Sequence, residues 1–220
     1  MNTPSSTYRI QFHKDFTFSD FLTIIDYLHR LGISTIYASP ILKSVRGSIH
    51  GYDVTDPHVI DPEIGTKEEL QTIAIKLKER GMTWLQDIVP NHMAFDPSNE
   101  RLMDVLERGQ DSTFYHYFDI QWNHPAPELN GKLMVPFLGE DLKTCVKNKE
   151  VKLAFTKYGF EISYFKARYP VSSIAYENLF SIFRSASAKK LRQEWGEFMN
   201  GRAYESHFTT WRKLKAKWIN

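Results

Sequence analysis

Cysteine is almost absent from the chain, because Cys145 is the single one among 220 residues. An internal disulfide is therefore excluded, and so is a metal cluster held by several thiolates. Such cysteine usage is typical of a reducing compartment, and we expect a cytoplasmic location. No apolar run approaches the roughly 20 residues that cross a bilayer, and the first nine residues lack the apolar stretch of a signal peptide. The sequence predicts a soluble protein that has no membrane partner.

Several catalytic motifs are also missing. The sequence contains no Gly-x-x-x-x-Gly-Lys-Ser/Thr, no Gly-x-Gly-x-x-Gly, no Gly-x-Ser-x-Gly and no His-Glu-x-x-His. Nucleotide-dependent, serine-nucleophile and zinc chemistries are therefore unsupported. The histidine pairs His50/His58 and His116/His124 match no standard metal spacing. We expect neither a metal nor a cofactor.

Charge is nearly balanced overall, at +2, but it is unevenly placed. Residues 189–220 contain eight Lys/Arg and three Asp/Glu. A basic tail of this kind binds nucleic acid in some proteins, whereas in most it forms a solvated helix face. Because no nucleic-acid-binding motif accompanies the tail, we expect no nucleic-acid partner.

Hydrophobic periodicity predicts an alternation of strands and helices in the first part of the chain. Short apolar runs predict strands at Tyr8–Phe12, Ile33–Tyr37 and about Thr83–Val89. Between them lie two amphipathic helices, the first ending at Gly32 and the second beginning at Thr66, which forms a capping box with Glu69. This order favours right-handed βαβ units and a parallel sheet.

The connection between the second strand and the second helix is unusually long. It runs for 28 residues from Tyr37 to Thr66, where an ordinary strand-to-helix loop has about 2–6. Its histidine and aromatic content, with His50 and Tyr52, indicates a binding loop rather than an unstructured insertion.

After His92 the strand–helix rhythm stops. Residues Val151–Phe155 and Phe160–Phe165 predict a hairpin, and beyond about Ala175 the pattern becomes helical, with apolar faces that extend to Trp211, Leu214 and Trp218. We therefore predict two parts, residues 1–94 and 95–220, the second being a subdomain inserted after the third strand.

The end of the third predicted strand carries the strongest functional signal. Asp87-Ile88-Val89-Pro90-Asn91-His92 places polar side chains at the C-terminal edge of a parallel sheet, where ligands bind. The alternative is a capped strand end that has a solvated histidine. With nucleotide and metal sites unsupported, such donors and acceptors, together with the flat ring of Tyr52, suit a sugar.

These motifs resemble the α-amylase family of glycoside hydrolases. Asp87–His92 resembles its signature at the end of the third barrel strand, and His50-Gly51-Tyr52-Asp53 resembles its loop after the second. More narrowly, the chain resembles a subfamily, the maltooligosyltrehalose synthases, over roughly residues 5–170. The segments that carry this likeness include Thr7–His13, Tyr37–Ile41, Gly47–Val54, Asp61–Gly65, Asp87–Phe95, Met103–Glu107, Phe118–Ile120 and Leu133–Gly139.

The resemblance implies an α/β fold, a (β/α)8 TIM barrel with an insertion after its third strand. It also implies an intramolecular transglycosylation in trehalose biosynthesis, in which the reducing-end α-1,4 bond of a maltooligosaccharide becomes an α,α-1,1 bond. Tyr52 would stack on the glucose at the cleavage site, while His92 and His50 would bind or shape that site.

The resemblance gives other site residues structural roles. Asp87 would orient the site from the strand end, and Asp53 is likewise expected to be structural. Asn91 corresponds to a calcium ligand of many amylases, although we expect no metal in this subfamily.

The catalytic carboxylates of the family follow its fourth, fifth and seventh barrel strands, and none can be assigned here. We therefore expect an incomplete (β/α)8 TIM barrel (strands 1–3) with an inserted α+β subdomain, inactive on its own. Two alternatives stay open: a non-catalytic α-glucan-binding fragment, and one half of a split enzyme completed by a separate chain that supplies the remaining strands.

Overall fold

The computed structural model describes residues 4–135, 137–156, 158–182 and 186–200, with side chains for 189–197 of the last range. The chain divides into two compact units, Met1–Asn99 and Glu100–Asn220. The predicted helical faces at Trp211, Leu214 and Trp218 and most of the basic tail lie outside the described residues. None of the helices in the part of the chain that the structure describes is long and apolar enough to cross a membrane.

The first unit has a three-stranded parallel sheet packed against two helices. The order of the strands across the sheet is β1-β2-β5, and Thr7, Thr35 and Thr83 stand in register at the start of the three strands. This confirms the predicted parallel arrangement. The elements of this unit are β1 (Thr7–Ile10), α1 (Phe18–Arg30), β2 (Thr35–Ala38), β3 (Leu42–Ser44), β4 (Val54–Ile60), α2 (Lys67–Glu79) and β5 (Thr83–Gln86).

Both helices begin at a capping box. Thr66 accepts a hydrogen bond from the backbone of Glu69, whose side chain accepts one from the backbone of Thr66, and Thr17 and Asp20 form the same pair at α1. Gly32, with φ of +86°, follows α1 in the left-handed region. The apolar stripes of both helices and one face of the sheet form the core, which includes Ile10, Phe12, Phe18, Phe21, Ile25, Leu28, Ile36, Ala38, Ile73 and Leu77.

The third parallel strand is shorter than predicted. It ends at Gln86 rather than at Val89, because its neighbour β2 ends at Ala38, just before Pro40, and leaves later residues no strand to pair with. The amide of Asp87 still donates to the carbonyl of Ala38 at 2.9 Å. Asp87 is therefore the first residue past the C-terminal edge of the sheet.

The long connection is a folded hairpin rather than an open loop. Strands β3 and β4 pair antiparallel within it, with two register shifts. Buried Asp61 fastens the base of the hairpin, since its Oδ2 accepts hydrogen bonds from the backbone amide of Ser44 at 3.0 Å and from the Ser44 hydroxyl at 2.6 Å. These two strands were not predicted from the sequence.

The second unit combines helices with a three-stranded antiparallel sheet, β6-β7-β8. The predicted hairpin is confirmed as β6 and β7, and the helical pattern beyond Ala175 is confirmed as α5 and α6. Strand β8 was not predicted. The elements are α3 (Glu100–Arg108), α4 (Leu142–Lys147), β6 (Val151–Thr156), β7 (Gly159–Tyr164), β8 (Ala167–Pro170), α5 (Tyr176–Ile182) and α6 (Ala186–Asn200).

The core of the second unit surrounds a buried tyrosine. Tyr176 packs with Phe160, Phe180 and Trp195. Its hydroxyl donates to Oε1 of Glu107 at 2.9 Å and accepts from the amide of Phe160 at 3.1 Å. Burial, reinforced by Glu107, raises the pKa of Tyr176 and keeps the phenol neutral.

Candidate functional site

The two faces of the parallel sheet differ in chemistry. One face packs on α1 and α2, whereas the opposite face carries Arg9, Tyr37 and Leu85 side by side in register. Side chains of a strand alternate between faces, so Asp87 lies two positions beyond Leu85 on this same face. We call this the open face of the sheet, and its C-terminal end is the candidate site.

Asp87 is the centre of the site. Its Oδ2 accepts a hydrogen bond from the hydroxyl of Tyr52, another from the hydroxyl of Tyr37 at 3.2 Å, and a third from Nη1 of Arg9 at 3.4 Å. The Tyr52 hydrogen bond, assisted by Tyr37 and Arg9 and opposed by partial burial, lowers the pKa of Asp87 below its ordinary value of 3.8. Asp87 is therefore a stable carboxylate anchor.

Tyr52 reaches this anchor from the connection between β3 and β4. Its hydroxyl donates to Asp87 and accepts from Nη2 of Arg9 at 3.0 Å. The bond to the Asp87 carboxylate raises the pKa of Tyr52, so the phenol stays protonated at neutral pH. Gly51 precedes Tyr52 with φ of +73°, and a Cβ at that position would lie 2.8 Å from the carbonyl oxygen of Pro40. Only glycine fits this close approach without displacing backbone.

His50 and Asp53 flank Tyr52. The amide of Tyr52 donates to Nδ1 of His50 at 3.0 Å, which leaves the proton of the neutral imidazole on Nε2. The carboxylate of Asp53 accepts from the hydroxyl of Ser48 at 2.5 Å, and His50 Nδ1 lies 3.6 Å from the same carboxylate oxygen. The side chain of His50 is half exposed, so its Nε2–H is a donor available to a ligand.

Asn91 and His92 form a separate pair. Nδ1 of His92 lies 3.2 Å from Oδ1 of Asn91, and both residues are exposed. The amide oxygen can only accept, so in the tautomer of a neutral ring that makes this hydrogen bond Nδ1 is the donor and Nε2 an acceptor. Among the described residues, no hydrogen bond joins this pair to Tyr52 or Asp87. The structure thus brings together four of the six predicted site residues: His50, Tyr52, Asp53 and Asp87.

Three contributors to the site were not predicted as site residues: Arg9, Tyr37 and Gln11. Gln11 donates from Nε2 to the carbonyl of His50 at 3.1 Å, which ties the end of β1 to the binding loop. Arg9 also lies over the ring of Tyr37, 4.6 Å from its centroid. The signal that could have found them is the alternation of β1, which puts Arg9 and Gln11 on the face away from the core.

The described residues lack the usual arrangement of metal ligands. Across residues 4–135, 137–156, 158–182 and 186–200, no group of three His, Cys, Asp or Glu side chains is arranged to hold an ion. The expectation that the protein needs no metal stays a prediction.

Comparison with known proteins defines the class of the chain. The model of the alpha amylase catalytic domain matches residues 21–143, more than half of the sequence. The chain belongs to the α-amylase catalytic-domain family.

Within that family, the chain is similar to the maltooligosyltrehalose synthases. A crystal structure of maltooligosyl trehalose synthase is 40% identical and superposes with a TM-score of 0.69, over 76% of this chain and 22% of the other. The synthase from Arthrobacter ramosus is 39% identical, with a TM-score of 0.66, over 77% of this chain and 21% of that one. A Mycobacterium tuberculosis (strain ATCC 25618 / H37Rv) relative, assigned as a maltooligosyl trehalose synthase, is 41% identical over 62% of this chain and 18% of its own length.

The match therefore spans about a fifth of the length of these relatives. The activity of a whole synthase is a proposal for this chain rather than a finding.

Proposed function

We propose that this chain contributes part of the maltooligosaccharide-binding site of a maltooligosyltrehalose synthase. The observation that carries the proposal is the presentation of Tyr52, which a folded connection holds against Asp87 at the C-terminal end of a parallel sheet. This is the edge at which α/β barrels bind their substrates. Similarity to solved synthases over three quarters of the chain supports the same interpretation.

The architecture that goes with this proposal is a partial barrel. In it β1, β2 and β5 are the first three strands of a (β/α)8 barrel, and residues 95–220, which include the second unit, are the subdomain inserted after the third. Two features support the assignment: a parallel β1-β2-β5 order, and a polar open face where a barrel interior would lie.

Each predicted site residue has a defined part in this proposal. Tyr52 offers a ring face to a glucose unit, while the Nε2–H of His50 donates to a hydroxyl and the bare Nε2 of His92 accepts from one. Asp87, Asp53 and Asn91 are structural, since each already bonds a neighbouring side chain. The donor and the acceptor suit a sugar, whose hydroxyls act in both ways.

The proposed parent reaction moves a reducing-end α-1,4 bond to an α,α-1,1 bond. Retaining chemistry of this kind uses two carboxyl groups about 5 Å apart, one as nucleophile and one as acid/base. The lowered pKa of Asp87 makes it unsuited to be the acid/base, and the family resemblance gives it a structural role rather than that of the nucleophile. We therefore propose that these 220 residues bind maltooligosaccharide without exchanging its bonds.

Calorimetry with maltopentaose tests the binding proposal on the 220-residue chain. Tyr52→Ala should weaken binding about two- to tenfold, because an aromatic contact contributes about 0.5–1.5 kcal/mol. Tyr27→Ala is the matched control, since Tyr27 is an exposed tyrosine on α1, away from the site. Equal affinities of the two variants would contradict the role of Tyr52.

A reducing-end assay on the same samples tests the chemistry. We expect no loss of reducing ends from maltopentaose. Loss of reducing ends without glucose release would mean that a trehalosyl product forms, and would overturn the assignment of binding without catalysis.

The proposal includes a partner and a location. Within the described residues β5 pairs only with β2, and its other edge suits pairing with a separate chain that supplies further strands. Affinity purification that recovers no barrel-like partner would argue against this. We place the protein in the cytoplasm because its one cysteine is buried and unpaired.

A further inference from the structure

Arg9 contacts four other residues of the site: Tyr52, Gln11, Asp87 and Tyr37. Its Nη2 donates to the Tyr52 hydroxyl at 3.0 Å and to Oε1 of Gln11 at 3.3 Å, while its Nη1 donates to Asp87 at 3.4 Å. Its guanidinium also lies over the ring of Tyr37. The side chain is 38% exposed, so burial does not explain this set of contacts.

We propose that Arg9 is a positioning residue, which fixes the hydroxyl end of Tyr52 and thereby orients the Tyr52 ring for a pyranose ring of the substrate. The inference rests on the proposed binding function and adds a residue that determines the geometry of the same site.

The phenol of Tyr52 is held at its hydroxyl end. A hydroxyl that both donates and accepts is held from two directions, and Asp87 supplies the acceptor while Arg9 supplies the donor. Without Arg9, the Tyr52 hydroxyl keeps only its hydrogen bond to Asp87, and the side chain of Tyr52 can pivot about that single contact. Tyr52 reaches the sheet from a separate connection, so this anchoring sets the direction of its ring axis.

The guanidinium of Arg9 suits this position better than an ammonium group would. One nitrogen contacts Asp87 and another contacts Tyr52, which a planar fork with separate donors can do. A lysine ammonium is a single point charge on a flexible stem, and one such group does not reproduce the two directed contacts together with the position over the Tyr37 ring. The function of Arg9 therefore depends on its shape as well as its charge.

The test compares Arg9→Met and Arg9→Lys with Arg192→Met in the 220-residue chain. Arg192 is a matched control, because its Nη2 contacts Glu177 at 3.3 Å on an exposed surface of the second unit. Maltopentaose affinity is measured by calorimetry. The pKa of Tyr52 is measured by NMR with tyrosine labelled at Cζ, over the pH range in which circular dichroism stays native, and Tyr52→Phe assigns the signal.

We expect Arg9→Met to weaken maltopentaose binding about tenfold and to raise the pKa of Tyr52 further, because Arg9 opposes the effect of Asp87 on that pKa. Arg9→Lys should restore little of the affinity, and Arg192→Met should change neither quantity. If Arg9→Met does not fold, the affinity of Arg9→Lys for maltopentaose tests the inference in its place.

Two results would overturn the inference. One is wild-type affinity in a folded Arg9→Met or Arg9→Lys chain, and the other is an unchanged Tyr52 pKa in Arg9→Met. A wild-type chain that does not bind maltopentaose refutes the proposed function instead, and the NMR measurement then decides the Arg9–Tyr52 interaction by itself.

Discussion

The hydroxyl of Tyr52 donates a hydrogen bond to Oδ2 of Asp87, a residue 35 positions further along the chain. This bond joins the connection between β3 and β4 to the end of β5. Two motifs that are separate in the sequence thereby become one site. Much of the behaviour expected of the protein follows from this contact and from the elements that hold its two ends.

Tyr52→Phe should destabilise the first unit by about 1–2 kcal/mol, because a hydrogen bond to a partly exposed carboxylate is lost while the ring remains. Urea unfolding followed by circular dichroism measures the change. Tyr27→Phe is the control, since the hydroxyl of Tyr27 makes no hydrogen bond among the described residues and its side chain is exposed. Equal unfolding midpoints for the two variants would show that the Tyr52–Asp87 bond contributes nothing to stability.

Asp87 should make stability depend on acid pH. Its pKa is lowered in the folded chain, chiefly by the Tyr52 hydrogen bond, so the unfolded chain binds a proton at a higher pH. The stabilising contribution is complete above the ordinary pKa of 3.8 and is lost as pH falls through the folded value.

Asp87→Asn removes this titration. Its free energy of unfolding should therefore fall less steeply than that of the wild type between about pH 5 and pH 2. Asp111→Asn, which removes an exposed carboxylate at the end of a short 3₁₀ helix, is the control for the loss of one negative charge. Parallel curves for all three proteins would rule out the contribution of Asp87.

Gly51→Ala should damage both stability and binding. The new Cβ would meet the carbonyl oxygen of Pro40 at 2.8 Å and would also impose a positive φ on a residue that has a side chain. Gly47→Ala is an unusually close control, because Gly47 lies in the same connection with φ of +79° and has open space around its Cβ position.

The difference between the two variants isolates the clash from the backbone strain. We expect Gly51→Ala to lower the free energy of unfolding by at least about 1 kcal/mol more than Gly47→Ala. Maltopentaose affinity should fall in Gly51→Ala alone, since the clash lies beside Tyr52. Equal losses in both variants would mean that the Pro40 contact is relieved by a shift of the connection.

Thr66→Ala should cost about 1 kcal/mol of stability, because it removes the N-cap of α2 and half of a reciprocal capping box. Thr72→Ala is the control: Thr72 is exposed on the same helix, and its hydroxyl donates to the carbonyl of Glu68 in the preceding turn. Since alanine favours helix, Thr72→Ala should be neutral or slightly stabilising. Thermal unfolding of the two variants measures the contrast.

Sequence reasoning succeeded where the determinants are local. The reciprocal pair Thr66 and Glu69, three positions apart, marks the start of α2, and Gly32 marks the end of α1. Apolar periodicity then places the buried stripes and fixes the strand–helix order. These signals depend on neighbours within a turn or two of the chain.

It failed where stability comes from distant partners. Strands β3 and β4 depend on Asp61, which bonds Ser44 from 17 positions away, and their pairing contains register shifts that no alternation pattern reveals. Arg9 and Tyr37 were missed for a related reason. Polar residues in a strand predict a side that faces solvent. The contacts of Arg9 with Tyr52 and of Tyr37 with Asp87 form only in the folded sheet, so the strand pattern does not reveal them.

The site itself was predicted in part. Motifs identified His50, Tyr52, Asp53 and Asp87, which the structure brings together, and Asn91 with His92, which it keeps as a separate pair. The binding roles of these residues stay predictions.

The hairpin of β3 and β4 has a consequence for the thermodynamics of recognition. A disordered connection of this length would lose conformational freedom when a ligand bound. The free-energy cost would be about 0.5–1.5 kcal/mol for each side chain immobilised. Here folding has already ordered the backbone around Tyr52, through Asp61 at one end and the Gly51–Pro40 approach at the other. Under the proposed function, a maltooligosaccharide that docks on this preorganised surface meets a small entropic cost from the protein, and its own flexible glycosidic linkages become the main source of unfavourable binding entropy.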